Sequence, residues 1–226
     1  MIAHELTLLF NKKIIDNGLA VDMFGNAGIR DGDLLYIKPS GVSLQEITSQ
    51  DISIVDIATG KHVGGLKPSS DTPTYLELLR HFSEINSIIH THSVFSTSWA
   101  QSQRSIPCLG TTHADYWKIG IPITRELYNN EISNNYESSC GKVIIERIEE
   151  LGLHIDECPG ILLRNHGPFV WGRNIEDTFR HAVLLEYISE LAYRTLSLKP
   201  EVSAISHNLH SKHFDRKHGN KAYYGQ

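Results

Sequence analysis

Apolar side chains recur every three to four residues along several stretches of the chain, a pattern typical of helices with one buried face. The first stretch covers residues 5–17, and Gly18 follows it where a glycine commonly ends a helix. A second begins at Thr72, because the proline that follows is favoured in a first helical turn. A third ends before Gly152. The fourth starts at an Asn174 cap, runs to about Leu198 and is predicted to bury Ile175, Phe179, Ala182, Val183, Leu191 and Ala192.

Short apolar runs between these helices predict strands, because each is bounded by glycine, proline or a polar turn. Residues 34–37 form one run, and residues 52–57 open a hairpin at an Ala-Thr-Gly-Lys turn. Residues 88–92 form another run, and residues 161–165 and 169–171 flank a His-Gly-Pro turn. Since helices alternate with hairpins, we predict an α/β fold: a single layered domain with a mostly antiparallel central sheet flanked by helices.

Length and composition are those of one globular domain, with 226 residues of which 40% are hydrophobic and 21% charged. We assign residues 1–226 to that domain and residues 200–226 to a polar, histidine-rich C-terminal tail. The net charge of −5 arises from interspersed acids and bases, which argues against binding to nucleic acid or to a membrane surface. The first residues have no basic and apolar targeting pattern, and no apolar run approaches a membrane span. We therefore expect a cytoplasmic protein.

Histidine, rather than cysteine, is the candidate metal ligand. The chain has 13 histidines, whereas its three cysteines lie far apart without a Cys-x-x-Cys pair. His90 and His92 stand at the end of an apolar strand, where side chains two residues apart share a face at about 6.6 Å. His166, at a second junction between strand and turn, can supply a third nitrogen and leave one position open for substrate. The alternatives are an incidental His-x-His pair and a turn histidine bonded to the backbone.

Three short segments have the chemistry of an anion site. Ser69 and Ser70 precede Asp71 at the start of a helix, where hydroxyls and free backbone N–H groups favour a phosphate. Asp71 is also the nearest carboxylate to complete the metal site, although Asp71 or Thr72 could simply cap the helix. The segments Lys38-Pro39-Ser40-Gly41 and Phe24-Gly25-Asn26 are the other two, and each taken singly is ordinary turn chemistry.

Taken in order along the chain, these segments resemble a known family. The matching stretches are Gly25-Asn26, Lys38 to Gly41, Lys67 to Thr74, Ile89 to Ser93, Gly110 to Tyr116, His166 to Phe169, Arg216 to Gly219 and Tyr223 to Gln226. The stretches H-T-H-S, T-T-H-A-D-Y and A-Y-Y-G-Q are highly specific in combination, and the resemblance covers essentially the whole chain. On these motifs the sequence resembles the L-ribulose-5-phosphate 4-epimerases of the class II aldolase/adducin superfamily.

The resemblance implies a nine-stranded, mostly antiparallel sheet and a C4 homotetramer with active sites between subunits. It implies one Zn²⁺ per subunit, with Mn²⁺ or Co²⁺ as substitutes, held by residues matching His90, His92 and His166 with Asp71 at the fourth position. A phosphorylated ketopentose would be bound by residues matching Gly25, Asn26, Ser40, Gly41, Ser69 and Ser70, with His213 near it. The acid–base pair would be Asp115 and Tyr224, the tyrosine coming from a neighbouring subunit.

The implied reaction interconverts L-ribulose 5-phosphate and D-xylulose 5-phosphate, a step used in both arabinose and ascorbate catabolism. The hydrogen on C4 is not acidic, so inversion requires cleavage of the C3–C4 bond, rotation of the aldehyde fragment and re-formation of the bond. Each face of the aldehyde then needs its own proton donor and acceptor. Departures from the family include Phe24 in place of an expected tryptophan and Ala-Gly-Ile-Arg after Asn26, both near the phosphate segment. Asn165 also stands where close relatives have serine, and Asp215 adds an acid to the tail.

Two other functions compete with the epimerase, and the tail offers one further candidate metal site. A class II sugar-phosphate aldolase of the fuculose-1-phosphate type would carry glutamate where this chain has Asp71, and the shorter side chain favours the epimerase. An adducin-like interaction domain would have discarded the metal histidines, and all three are present. The separate tail site would consist of His207, His210 and His213, where the spacing of three suits one helix face.

Overall fold

The computed structural model describes residues 2–219 and 222–223, and this part of the chain contains one seven-stranded sheet. The strands are β1 (Asn26–Asp31), β2 (Leu34–Ile37), β3 (Ser53–Asp56), β4 (His62–Gly64), β5 (Ser87–His90), β6 (Gly160–Leu163) and β7 (Gly167–Gly172). They lie in the order β4-β3-β2-β1-β5-β7-β6, and every neighbouring pair is antiparallel. The predicted fold class, one layered domain with an antiparallel sheet flanked by helices, is therefore confirmed.

Seven α-helices accompany the sheet in the described residues. They are α1 (Ala3–Asp16), α2 (Thr72–His81), α3 (Val94–Gln101), α4 (Thr111–Ala114), α5 (Asn129–Glu150), α6 (Ile175–Leu198) and α7 (His207–His218). Helices α1, α3 and α6 pack on strands of the sheet, whereas α2 packs on α5 and α4 packs on α7. Among the helices of the described chain, none combines the length and the apolar character needed to cross a membrane.

The sheet has seven strands in the described residues where the family resemblance implied nine. Among the pairings that exist only as isolated bridges are Ile106 with Ile121 and Ile123 with Leu162. Pro107 and Pro122 directly follow Ile106 and Ile121. Because proline has no N–H group to donate, neither bridge extends into a ladder at these positions.

Several predicted elements have the bounds that the sequence indicated. Strand β2 covers Leu34–Ile37, as predicted. Gly18 follows helix α1 with φ +69°, and its N–H and that of Leu19 bond carbonyls of the last turn, so this glycine ends the helix as expected. The Asn174 side chain accepts the N–H of Asp177 at 2.8 Å and caps α6.

The buried face of α6 differs in part from the prediction. Val183 and Leu191 are 37% and 38% exposed, and Leu185 and Ile188 are buried instead. The true face also contains two buried hydroxyls, which hydrophobicity alone rejects as core positions. Thr178 Oγ1 lies 2.6 Å from Ser87 Oγ, so its hydroxyl is satisfied inside the core.

The polar tail contains a helix rather than an extended segment. Ser206 caps α7 by accepting the N–H of Leu209 at 3.3 Å. Phe214 is the buried residue of α7, and the helix packs against the short α4. A capped first turn, the buried Phe214 and hydrogen bonds from His210 and Arg216 to residues that directly follow α4 hold this mostly polar helix in place.

Candidate active site

A row of residues across three strands builds one end of the sheet. His90 is the last residue of β5, and it pairs with Asn26 on β1 and with Phe169 on β7. The Phe169 ring stacks on the His90 imidazole with centroids 4.2 Å apart and planes at 13°. The central sheet therefore fixes both the backbone and the ring of His90.

The turn between β6 and β7 delivers the second part of the site. Asn165 has φ +61°, a left-handed conformation that asparagine tolerates, and His166 follows it directly. Gly167 is required beside it, because a Cβ there would lie 2.7 Å from the carbonyl oxygen of Thr91. This close approach brings the turn against the segment that carries His92.

Three imidazoles converge at this point. The Nε2 atom of His90 lies 3.1 Å from Nε2 of His92 and 3.1 Å from Nε2 of His166. His90 is buried, and His92 and His166 are partly buried. Their ligand atoms all lie within 4.8 Å of one another, so the described part of the chain contains one group of three residues suited to a metal ion. The structure thus brings together the three histidines that the sequence selected.

The hydrogen bond that His90 makes on the side away from the cluster is consistent with a cation between the three Nε2 atoms. Nδ1 of His90 lies 2.9 Å from the carbonyl oxygen of Pro168, so this nitrogen must carry the hydrogen and donate it. Burial, together with the neighbouring His166 and His92, lowers the pKa of His90 to about 3 although Asp71 opposes the shift. The neutral ring then presents a bare lone pair at Nε2. Lone pairs of neighbouring imidazoles at 3.1 Å repel one another unless a cation or a proton lies between them.

Asp71 lies beside the histidines but outside their cluster. It precedes α2 as the cap residue, yet its side chain makes no capping bond, so the simple capping alternative does not hold. Its Oδ2 accepts instead from Nδ2 of Asn26 at 2.6 Å. Burial lowers the pKa of His92 and His166 as well, and the negative charge of Asp71 opposes that shift in both.

Asn26 presents an unused acceptor at the same place. Its Nδ2 donates to Asp71 and, at 3.4 Å, to Ser69 Oγ. Its Oδ1 is buried and has no hydrogen-bond partner among the described residues. A buried acceptor without a partner is costly, so this oxygen marks a position where a ligand or water can donate a hydrogen bond.

The predicted anion segments form adjoining loops around Asn26. Ser40 N donates to Lys67 O at 2.8 Å and Ser69 N donates to Lys38 O at 3.2 Å, which pairs the segment of Ser40 and Gly41 with that of Ser69 and Ser70. Gly25 has φ +77°, and a Cβ there would lie 3.0 Å from the His90 carbonyl oxygen. Glycine at this position therefore lets the loop before β1 approach the histidines.

Lys38 and Phe24 line the same region. The Lys38 ammonium donates to the carbonyl of Met23 at 2.7 Å, and burial lowers its pKa against the opposing charges of Asp71 and Asp22. The Phe24 side chain is 61% exposed, with its ring centroid 5.5 Å from that of His92. A large, mostly exposed apolar ring thus lies beside His92.

Asp115 and His213 come together in a different place. The Asp115 carboxylate accepts two hydrogen bonds from Arg216, at 2.8 and 2.6 Å, and lies 3.1 Å from Nδ1 of His213. Burial would raise the pKa of Asp115, but Arg216 and His213 outweigh it and hold the pKa below the usual value. No hydrogen bond between described residues joins this group to the three imidazoles. Tyr224 lies outside the described residues.

The tail histidines do not form a metal site of their own. Nε2 of His210 lies 2.8 Å from the carbonyl oxygen of Trp117 and therefore donates to it. His213 faces Asp115, and His207 lies 3.5 Å from Ser211 Oγ. The three rings, all on α7, therefore contact three different partners and do not converge on one point.

Sequence reasoning missed Tyr136, which reaches the site from α5. Its hydroxyl lies 2.8 Å from Nδ1 of His166, and the two rings are nearly parallel. Burial raises the pKa of Tyr136 to about 12, so the phenol is neutral. The sequence signal was weak because the polar run from Asn129 to Ser139 hides the first half of α5.

Glu186, on α6, was also missed. Ser93 stands at the cap position of α3 but makes no capping bond. The Glu186 carboxylate takes that role, since it accepts from the N–H groups of Phe95 and Ser96 at 2.7 and 2.9 Å and from Ser96 Oγ at 2.7 Å. A carboxylate from another helix thus fixes the segment that directly follows His92.

Replacing Glu186 by alanine is expected to lower the free energy of unfolding by about 2 kcal/mol, because two N–H groups of the first turn of α3 lose their acceptor. Glu190→Ala is the matched control on the same helix, since Glu190 pairs with Arg194 on the surface, where such pairs contribute about 0–1 kcal/mol. Denaturant titration of both variants measures the difference. Equal losses would contradict the capping role.

Known families and solved structures resemble this chain over most of its length. The model of the class II aldolase and adducin N-terminal domain matches residues 7–193. An L-fuculose 1-phosphate aldolase is 21% identical, with a TM-score of 0.77 over 93% of this chain and 94% of that one. YgbL from Klebsiella pneumoniae, described only as an aldolase, epimerase or decarboxylase, is 20% identical with a TM-score of 0.73 over 93% and 96%. A sugar-phosphate aldolase from Thermotoga maritima is 18% identical with a TM-score of 0.67 over 87% and 96%. At these identities the structural likenesses establish a shared fold.

Proposed function

The chain belongs to the class II aldolase and adducin N-terminal domain family, and from that premise we propose that it is a metal-dependent epimerase that interconverts L-ribulose 5-phosphate and D-xylulose 5-phosphate. One observation carries the proposal. Three imidazole Nε2 atoms converge beside Asn26, whose buried Oδ1 has no partner among the described residues. This combination suits a cation and an oxygen-rich substrate side by side.

The proposed metal ligands are His90, His92 and His166, with Asp71 as the fourth group. The donor set fits a divalent cation, because His90 donates through Nδ1 and can offer Nε2 only as a lone pair. Zn²⁺ is the proposed ion, with Mn²⁺ or Co²⁺ as substitutes. Such an ion supplies Lewis-acid stabilisation of the negative charge that develops on substrate oxygen.

The proposed phosphate site consists of Gly25, Asn26, Ser40, Gly41, Ser69 and Ser70. The paired loops that carry Ser40 and Ser69 support this assignment, since they adjoin the Asn26 amide. Hydroxyls and backbone N–H groups bind a phosphate through several neutral donors. These donors can hold the phosphate while the C3–C4 bond breaks, as the proposed reaction requires.

The proposed chemistry breaks and re-forms the C3–C4 bond. A base removes the proton of the C4 hydroxyl, the electron pair of the C3–C4 bond passes to the three-carbon fragment, and glycolaldehyde phosphate forms. After the aldehyde rotates, the bond re-forms at its other face and an acid returns a proton to the C4 oxygen. Asp115 and Tyr224 are the proposed pair for the two faces, with His213 near the substrate. Groups in such roles contribute about 10²–10⁴-fold to the rate.

The proposed assembly is a homotetramer with active sites between subunits. Support comes from the distribution of groups in one chain, where Asp115 bonds to His213 and Arg216 of α7 rather than to the imidazoles. Tyr224 of the acid–base pair would come from a neighbouring subunit and reach the site across a subunit boundary. The tail of residues 200–226 would contribute to that boundary.

Incubation with L-ribulose 5-phosphate and detection of D-xylulose 5-phosphate is the direct test. The competing activity is a sugar-phosphate aldolase, the activity named for two of the similar structures. An aldolase would release separate fragments from L-fuculose 1-phosphate and would not epimerise the pentose. Purified protein without stoichiometric metal would instead favour an interaction domain of the adducin type.

Ser69→Ala is expected to raise the KM for the phosphorylated sugar more than it lowers kcat, because the hydroxyl is proposed to hold the phosphate and not the reacting carbons. The loss of one hydrogen bond to a charged group corresponds to about 1.5–3 kcal/mol, or about 10–150-fold in affinity. Steady-state kinetics measures the split. Ser83→Ala, beyond the far end of α2, serves as the control, and an unchanged KM in the Ser69 variant would remove this residue from the site.

A further inference from the structure

Tyr136 and His166 form a contact that the proposed reaction does not use. The phenol oxygen lies 2.8 Å from Nδ1 of His166, with ring centroids 6.2 Å apart and planes at 18°. Nε2 of the same imidazole points the other way, 3.1 Å from Nε2 of His90. Tyr136 therefore contacts the nitrogen that faces away from the histidine cluster.

The direction of this hydrogen bond follows from the chemistry of imidazole. A ring that offers the lone pair of Nε2 must carry its hydrogen on Nδ1. That N–H needs an acceptor, and the phenol oxygen of Tyr136 is within bonding distance of it. In His90 the Nδ1 hydrogen is accepted by the backbone carbonyl oxygen of Pro168, 2.9 Å away. In His166 the acceptor is a side chain, so a substitution can remove it.

We propose that Tyr136 is a positioning residue for His166, whose phenol oxygen accepts the Nδ1 hydrogen and thereby fixes the tautomer and ring orientation in which Nε2 faces a divalent cation. This inference rests on the proposed metal dependence of the site. Partners behind metal-binding histidines act in this way, and their loss typically weakens metal binding by about 10–100-fold.

The fold holds Tyr136 firmly in this position. Helix α5 is kinked directly before it, at Asn135, where φ is −149° and ψ is 60°. Thr74 Oγ1 donates to the carbonyl of Glu137 at 2.6 Å, and Ser138 Oγ donates to Glu77 at 2.7 Å. Both bonds tie the residues after the kink to α2, whose first residue follows Asp71. The residues next to Tyr136 are thus anchored to the same helix that begins beside the site.

The phenol can accept without giving up its own hydrogen. Its oxygen has two acceptor lone pairs, so it can accept the Nδ1 hydrogen of His166 while its O–H points elsewhere. Cys140, one turn along α5, is buried on the same helix.

Tyr136→Phe tests this role, because it keeps the ring and removes only the hydroxyl. We expect the dissociation constant for Zn²⁺, measured by competition with a chromophoric chelator, to rise about 10–100-fold, and the visible spectrum of the Co²⁺-substituted protein to change. Tyr187→Phe on α6, a tyrosine 50% exposed, is the matched control and should leave both unchanged. A Zn²⁺ dissociation constant within twofold of the wild-type value would overturn the proposal.

Tyr136→Gln provides the second variant, since its amide oxygen can accept the same N–H. Partial recovery of affinity relative to Tyr136→Phe supports the hydrogen bond as the cause, and no recovery counts against it. Circular dichroism of each variant confirms that the fold is retained. The metal titration contains no substrate, so it does not depend on which reaction the protein catalyses. A protein that binds metal as predicted but lacks epimerase activity would therefore overturn the proposed reaction alone. A wild-type protein that binds no stoichiometric metal overturns both.

Discussion

Replacing His92 by asparagine is expected to abolish epimerase activity and to reduce bound metal well below one ion per chain. The His92 Nε2 atom is one of three that converge within 4.8 Å, and the shorter amide side chain cannot bring a comparable nitrogen to that position. His92 is only partly buried and lies just beyond the end of β5, so the sheet itself does not depend on it. Metal analysis and the epimerase assay on the same preparation measure both effects.

His207→Asn is the matched control for this experiment. His207 is exposed on α7, where its Nε2 lies 3.5 Å from Ser211 Oγ. Its replacement should change neither metal content nor turnover, and a loss of metal here would revive the idea of a tail site. If the His92 variant retains stoichiometric metal with unchanged affinity, the assignment of the three histidines is wrong.

Tyr224→Phe is expected to lower the rate of epimerisation by about 10²-fold or more while leaving fold, assembly and metal content unchanged. The substitution removes only a phenol hydroxyl, which is the proposed proton donor and acceptor for one face of the aldehyde. A slow exchange of the cleaved fragments through Asp115 alone can persist, because the other face keeps its base.

The surroundings of α7 support a role for this part of the chain. Asp115 holds Arg216 through two hydrogen bonds, and the N–H of Tyr223 donates to the carbonyl of Arg216 at 2.9 Å. The residue next to Tyr224 is therefore tied to the same arginine that Asp115 binds. Asp115 therefore also has a structural role, because it binds Arg216 of α7, in addition to its proposed catalytic role.

Three measurements on one preparation separate the possible roles of Tyr224. Steady-state rate, metal content and sedimentation are compared between the Phe variant and the wild-type protein, with Tyr193→Phe on α6 as an exposed control. Wild-type turnover in the Tyr224 variant would end its catalytic role. Lost activity together with lost metal or with dissociation into monomers would make Tyr224 structural.

Much of the site could be predicted because its residues lie in short segments of sequence with recognisable local patterns. The pairing of His90 with His92 was predicted from the alternation of an extended chain, which depends only on neighbouring residues, although β5 itself ends at His90. Helix ends at Gly18 and Asn174 follow from left-handed φ and from side-chain capping, and both are local effects.

Residues that act through contacts far apart in the chain could not be found in this way. Glu186 looks like any acid in a helix, and its role exists because α6 lies against the first turn of α3. Tyr136 meets His166 across 30 positions of sequence, because α5 is kinked and bonded to α2. The buried face of α6 likewise includes Thr178, whose hydroxyl finds Ser87 only in the folded chain.

The sequence by itself determined several of the helices and strands with their approximate bounds, and the residues with metal-binding chemistry, since each depends on side-chain type and on spacing along a few residues. Only the tertiary structure decided which of these residues meet. Antiparallel pairing of β5 with β1 and β7 brings Asn26, His90 and the turn of His166 to one end of the sheet. In the same structure Asp115 forms hydrogen bonds with Arg216 and His213, because α4 packs on α7. Contacts of this kind depend on the positions of whole helices and strands, which no short segment of sequence specifies.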